Sequence, residues 1–275
     1  MAVILVTAAC GGDGDGDTDT TAGAGGNGGS TSIEISGSST VEPITALVAE
    51  DFSADNPNVA ISVEGPGTGD GFARFCNGET DVSDASRPIK ESEVATCADN
   101  GVDYVELHVA TDGIAVITSS ANNTVACLDF NDMYALVGPE AEGFGNWNDA
   151  DALGAELGAG NAPYPAAPLV ITAPGEESGT YDTFVELVIE DIAEERGQEE
   201  ATRVDYEASG NDNVIVQGIS GNDTSLGWVG FAFFAENTDV LKAIEVDGGS
   251  GCVTPTAESI ASFEYPLSRP LFIYV

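Results

Sequence analysis

Ile33 and Ile35 alternate with polar residues, which predicts a short strand near the start of the folded chain. The segment ITALVAEDFSADNP follows, where Ile44, Leu47, Val48 and Phe52 recur at helical spacing and Asn56-Pro57 ends the helix. VAISVEG alternates as a second strand, GPGTGDGF is a glycine turn, and FARFCNGE opens another helix. TDVSDASRPI reads as extended, KESEVATCADNG as an acidic helix, and YVELHVATDGIAVITS as a long extended run rich in β-branched residues. LDFNDMYALVG predicts a short helix opened by Asp129 or Asn131, and residues 138–168 form a long irregular stretch. PLVITAPG is a strand. ESGTYDTFVELVIEDIAEE is the clearest helix, with Phe184, Leu187, Val188 and Ile192 on one face. NDNVIVQGIS predicts a further helix, LGWVGFAFFAEN a buried strand, and KAIEVDG and SFEYPLSRPLFIYV close the chain. The strand–helix alternation predicts an α/β fold with a mainly parallel sheet. There is no internal repeat and no stretch long enough to span a membrane.

At 275 residues the chain is long enough for two lobes around substantial cores. Its charge is unusual: 47 Asp and Glu oppose 7 Lys and Arg, for a net charge of -40. The lysines are Lys90 and Lys242. A field of that sign repels nucleic acid and anionic membrane, so neither is an expected partner. Salt screening relieves the self-repulsion, which points to a halophilic or marine habitat, an acidic protein from a moderate habitat being the plainer alternative.

Residues 1–10, MAVILVTAAC, place small residues before Cys10 and resemble the end of a bacterial lipoprotein signal, with Cys10 as the lipidated residue. A basic start is missing, the apolar run is short, and Thr7 stands where Leu or Val is usual. Residues 11–31 are rich in Gly, Asp and Thr without apolar periodicity, as expected of a flexible tether. Their Gly-Asp alternation does not match an EF-hand loop.

Four further cysteines, Cys76, Cys97, Cys127 and Cys252, stand isolated, and His108 is the only histidine. Zinc and redox chemistry are therefore not expected, and no metal or cofactor is assigned. An even count outside the cytoplasm favours two disulfides. Cys76–Cys97 with Cys127–Cys252 is the preferred pairing, the first closing a short loop and the second joining distant segments; four free thiols is the alternative.

Three segments share one design, a strand ending in a Gly/Ser/Thr turn that opens a helix: Gly37-Ser38-Ser39-Thr40, Gly67-Thr68-Gly69-Asp70-Gly71, and Glu177-Ser178-Gly179-Thr180. First-turn amides lack internal partners, so with hydroxyl donors they form an anion cradle. Each turn alone could be an ordinary N-cap. Arg87, in Asp84-Ala85-Ser86-Arg87-Pro88, is held extended by Pro88 and can grip two oxyanion oxygens, or simply pair with a neighbouring carboxylate. His108 lies in an apolar alternation and is expected to be structural. Ser178 is not in a G-x-S-x-G elbow, and no Walker A lysine motif exists. Trp228, Phe231, Phe233 and Phe234 read most simply as core.

GSSTVEP, GETDVSDASRPI, ESGTYDTF, NDNVIVQG and YPLSRPLFIYV occur in this order over residues 32–275, and they resemble the phosphate-binding component of the high-affinity phosphate ABC importer, the PstS family. The resemblance implies a type II periplasmic-binding-protein fold, two α/β lobes joined by two hinge strands and closing over one phosphate. The expected division is 32–110 with 236–275 as lobe 1 and 111–235 as lobe 2. The resemblance places phosphate on Ser39, Thr40, Val41, Thr68, Ser178, Gly179 and Thr180. Well-known members carry Asp-Ala-Pro where this chain has Ser86-Arg87-Pro88, and an Arg where it has Pro174. Arg87 is therefore expected to supply the positive group, with Ser86 beside it. Asp84 is the leading substitute for the lost acceptor carboxylate, with Asp70 and Asp212 as alternatives. The implied protein is a monomeric extracytoplasmic binder, periplasmic or on the cell surface, serving a membrane permease, membrane-bound only through its lipid anchor. A binder of another oxyanion, or a secreted phosphatase-type enzyme, is the alternative.

Overall fold

The computed structural model describes residues 31–275, so the expectations for Cys10 and for most of the tether lie outside the described residues. The first half runs β1 (Thr31–Gly37), α1 (Glu42–Asp55), β2 (Val59–Glu64), α2 (Thr68–Cys76), β3 (Val82–Ala85), α3 (Glu91–Asn100), β4 (Glu106–Ser119), β5 (Cys127–Asp129), α4 (Phe130–Val137) and α5 (Asp151–Leu157). The second runs β6 (Val170–Ala173), α6 (Gly179–Phe184), α7 (Glu190–Arg196), β7 (Glu207–Ala208), α8 (Asp212–Ser220), β8 (Ser225–Gly230), α9 (Phe231–Glu236), β9 (Leu241–Ala243), β10 (Glu245–Asp247), β11 (Cys252–Val253), α10 (Ala257–Ala261) and β12 (Ser268–Tyr274).

The main sheet has the order β2-β1-β3-β12-β4-β8-β6-β7, with β9 also on β4. Strands β1, β2 and β3 are parallel, as are β6, β7 and β8. Antiparallel pairing enters through β4 and β12. The 14-residue β4 belongs to both halves: Glu106–Gly113 pairs with β12, and Ile114–Ser119 with β8 and β9. A small sheet, β11-β10-β5, lies apart. This is the mixed α/β architecture that the strand–helix alternation predicts, in the two lobes that the family resemblance implies.

One core gathers Trp147, Trp228, Tyr134, Phe184 and Met133, with the Phe184 and Trp228 rings stacked 4.1 Å apart. A second packs Phe72, Phe75, Phe272 and Tyr274 under α2 and α3. A disulfide joins Cys76 to Cys97 in that core, and Cys127–Cys252 ties β5 to β11, the pairing expected from the sequence.

Four elements differ from the sequence reading, the first being α5 (Asp151–Leu157), which lies inside the stretch 138–168 read as irregular. The apolar stripe of α1 faces outward: Leu47 and Val48 are each 62% exposed, and Ile44 and Phe52 are exposed too. The face laid on the sheet is built from Thr45, Ala49 and Ser53, small side chains that permit a close approach. The long helix is interrupted by a π-helical turn, Val185–Ile189. The extra residue rotates the inward face, so Ile189 and Ala193 are buried with Phe184 and Val188, while Leu187 and Ile192 are only partly so. The apolar run LGWVGFAFFAEN is strand only to Gly230; Phe231 starts α9, and a fully apolar run carries no period to separate the two.

Candidate anion-binding site

Parallel strands carry ligands outside their carboxyl ends, where the following loops and helix N-termini converge. Three such ends meet here. Ser38–Thr40 follows β1, Gly67–Thr68 follows β2 and Ser86–Arg87 follows β3, and all contribute to one cavity of about 280 Å³. Two glycines make the approach possible. Gly37 lies so close to β3 that an added Cβ would fall 1.9 Å from the Asp84 carbonyl oxygen. Gly67, the cap of α2, has φ 113°, a conformation that other residues rarely adopt. The Thr68 and Ser86 hydroxyls are 2.8 Å apart, and the Ser86 N–H donates to Thr68 at 3.2 Å.

The last strand supplies a residue that the sequence reading did not select. Because β12 runs antiparallel to β3, with Phe272 opposite Ala85, its first residues project past the end of β3 into the cavity wall. Arg269 is 3% exposed and lines the cavity. Its guanidinium donates to Glu186 at 2.9 Å and to the Thr40 and Thr183 hydroxyls, and lies 3.5 Å from Asp112. Burial lowers its pKa, and Asp112 and Glu186 oppose that by favouring the charged form. A sequence signal existed: Ser268-Arg269-Pro270 repeats the tripeptide Ser86-Arg87-Pro88.

Arg87 lines the same cavity but is anchored from behind. Its two terminal nitrogens donate to both oxygens of Glu93 at 2.9 and 2.8 Å, its Nε is 3.8 Å from Glu186, and it lies over the Phe72 ring. The Glu93 hydrogen bonds raise its pKa against the opposing effect of burial. Lys90 also borders the cavity.

The opposite wall is acidic. Asp182, Glu186 and Glu190, four residues apart along α6, the π-turn and α7, all line the cavity. Asp182 accepts the Ser39 hydroxyl at 2.5 Å. Glu186 accepts from Arg269 and, at 3.4 Å, from the Ser86 hydroxyl. Burial raises the pKa of Glu190, and Lys90 opposes it.

The other expected residues take different places. The Ser178-Gly179-Thr180 turn is not part of the cavity lining; it abuts the first cradle, where Thr40 donates to the Gly179 carbonyl at 3.0 Å. Ser178 caps α6 by accepting the Thr180 N–H at 3.2 Å. The Val41 side chain is fully buried, and its N–H donates to Ser38 at 3.1 Å. Asp84 is fully buried and borders Thr45 and Glu42 of α1 rather than the cavity. Its carboxyl oxygens have no hydrogen-bond partner, and burial pushes its pKa up to about 6, with Thr45 opposing and Glu42 reinforcing the rise. Asp70 and Asp212 also lie outside the cavity lining. No group of His, Cys, Asp and Glu among the described residues is arranged to hold a metal.

A family model for the periplasmic-binding-protein (PBP) superfamily domain matches residues 22–275. The chain belongs to the PBP superfamily. Among curated PBP relatives, SphX of Synechocystis is 42% identical over 246 residues, 89% of this chain and 68% of SphX. The phosphate-binding protein PstS of Staphylococcus haemolyticus is 36% identical over 242 residues, 87% of this chain and 69% of that protein. Among solved structures, a possible phosphate binding protein from Planctomyces limnophilus superposes with a TM-score of 0.78 at 38% identity, covering 90% of this chain and 81% of that one.

Proposed function

We propose that this chain is a non-catalytic extracytoplasmic solute-binding protein that captures inorganic phosphate and presents it to the permease of an ABC importer. The observation that carries the reading is the cavity itself: Arg87 and Arg269 converge there with the Ser39, Thr40, Thr68 and Ser86 hydroxyls at three strand ends. Guanidinium forks and short hydroxyls match the oxygens of a small tetrahedral oxyanion. The PstS and Planctomyces relatives are named for phosphate binding, which supports the choice of oxyanion. Ser178, Gly179 and Thr180 act as the adjoining lobe's contribution, through their contact with Thr40. His108, the only histidine, is exposed on β4 and is not part of the cavity lining.

Lobe 1 comprises 32–110 and β12. We assign the segment 236–253, expected in lobe 1, to the other lobe instead, a division supported by the pairing of β9 with the second half of β4 and of β10 with β5. The two disulfides favour an oxidising compartment. Lipidation at Cys10 and a monomeric state complete the proposal.

Isothermal titration with phosphate, sulfate and molybdate, beside an assay for phosphomonoester turnover, tests it. Micromolar or tighter phosphate binding without turnover is the expected result. Preference for another oxyanion, or sustained hydrolysis, refutes it.

A further inference from the structure

An arginine guanidinium presents five N–H donors in a fixed planar fork, and an anion gains most from it when two parallel donors already point at its oxygens. A free arginine side chain spreads over many rotamers, so an anion that needs one of them must freeze the rest. Arg87 does not have that freedom in this fold. Its Nη1 and Nη2 donate to the two carboxylate oxygens of Glu93 at 2.9 and 2.8 Å, and Nη1 also donates to the Pro88 carbonyl at 3.2 Å. Glu93 thereby occupies the end face of the guanidinium. The side face, Nε–H with the second Nη2 hydrogen, remains open toward the cavity, where Nε lies 3.8 Å from Glu186. That face is a parallel pair able to grip two oxygens of one tetrahedral anion.

Glu93 is itself held. Its Oε2 also accepts the Lys90 N–H at 2.8 Å, closing the first turn of α3 as a capping box. One turn further on, Cys97 is joined to Cys76 at the end of α2, the helix that begins at Thr68 in the cavity wall. The Phe72 ring, also on α2, lies 5.4 Å from the Arg87 guanidinium. Carboxylate, guanidinium and hydroxyl cradle thus rest on one covalently tied base. Glu93 is not part of the cavity lining, so it reaches an anion there only through Arg87.

We propose that Glu93 is a positioning residue for phosphate, holding the end face of the Arg87 guanidinium so that its side face meets the ligand. The inference rests on the phosphate reading above. It runs against the sign of simple electrostatics. A carboxylate one guanidinium away from an anion repels it, so Glu93 strengthens binding only because orientation outweighs repulsion.

The test is phosphate titration of wild type, Glu93→Gln, Arg87→Ala and the double variant, with thermal melting to confirm that each folds. Gln can keep the cap on Lys90 but loses the charge and the two-oxygen grip. Glu93→Gln is expected to weaken phosphate binding by about tenfold, and the same substitution made on Arg87→Ala to change affinity by less than about twofold. A Gln variant that binds as wild type does, or tighter as removal of a competing charge alone would give, overturns the positioning role. So does an equal loss in both backgrounds, which marks an effect on the fold that bypasses Arg87. An Arg87→Ala variant with wild-type affinity overturns it too, since no grip is then left to orient. In each of those results phosphate binding by the wild type stands. A wild type that binds no phosphate overturns the functional reading itself.

Discussion

The guanidinium of Arg269, on the last strand, donates to the hydroxyl of Thr40, in the first loop, so residues 229 positions apart form one wall of the cavity. The same guanidinium holds Glu186 at 2.9 Å. A planar fork can serve both partners at once, and a lysine ammonium on a flexible stem cannot present the same geometry.

Arg269→Lys keeps the charge and loses the fork. A hydrogen bond to a charged group contributes about 1.5–3 kcal/mol, so phosphate affinity should fall roughly 10–100-fold by titration. Arg269→Ala leaves Glu186 and Asp112 without their buried cation and should cost about 3–5 kcal/mol of stability in denaturant melts. Unchanged affinity in the Lys variant would remove Arg269 from the site.

Gly179 tests the contact between the two cradles. An added Cβ would sit 3.0 Å from the Thr40 hydroxyl and 3.1 Å from the Thr40 backbone nitrogen. Gly179→Ala should therefore push the turn off Thr40 and weaken phosphate binding, with a much smaller change in melting temperature. Wild-type affinity in this variant would show that the contact is dispensable.

Asp84 sets a pH dependence of stability. The folded protein holds this proton up to about pH 6, whereas the ordinary value is 3.8. Between those values the folded state binds more protons than the unfolded chain, so this group makes stability fall as pH rises through that window and leaves it flat above. Asp84→Asn should abolish the fall and stabilise the protein at pH 7 by on the order of 3 kcal/mol. Parallel stability curves for wild type and variant from pH 4 to 7 would contradict the buried, unpartnered placement.

The two disulfides should differ in value. Cys76–Cys97 spans 21 residues and Cys127–Cys252 spans 125. Loop-closure entropy gives about 3 kcal/mol for the shorter and about 5 kcal/mol for the longer. Cys127→Ser/Cys252→Ser should lower the melting temperature more than Cys76→Ser/Cys97→Ser, as read by calorimetry.

What could be read along the chain was local. The alternation of β1 and β2 and the glycine-hydroxyl turns after them depend on neighbours a few residues apart, so Ser39, Thr40 and Thr68 were legible as cradle residues. The helix over residues 42–55 was legible too, but not its orientation. Its apolar stripe predicted an inward face, and the close packing of Thr45, Ala49 and Ser53 on the sheet turned that stripe to solvent.

The sequence by itself determined the α/β alternation, the hydroxyl-bearing turns and a cysteine set that favoured the observed disulfides, because spacing and residue type suffice for each. Tertiary structure alone decided which charges share the cavity. The antiparallel register of β12 against β3 carries Arg269 beside Thr40, and the π-turn aims Glu186 between the two arginines. It also turned Asp84, at the expected place in the chain, toward α1 and away from the cavity. On a strand, one residue of offset reverses the face a side chain presents, and only the packed sheet decides what that face meets.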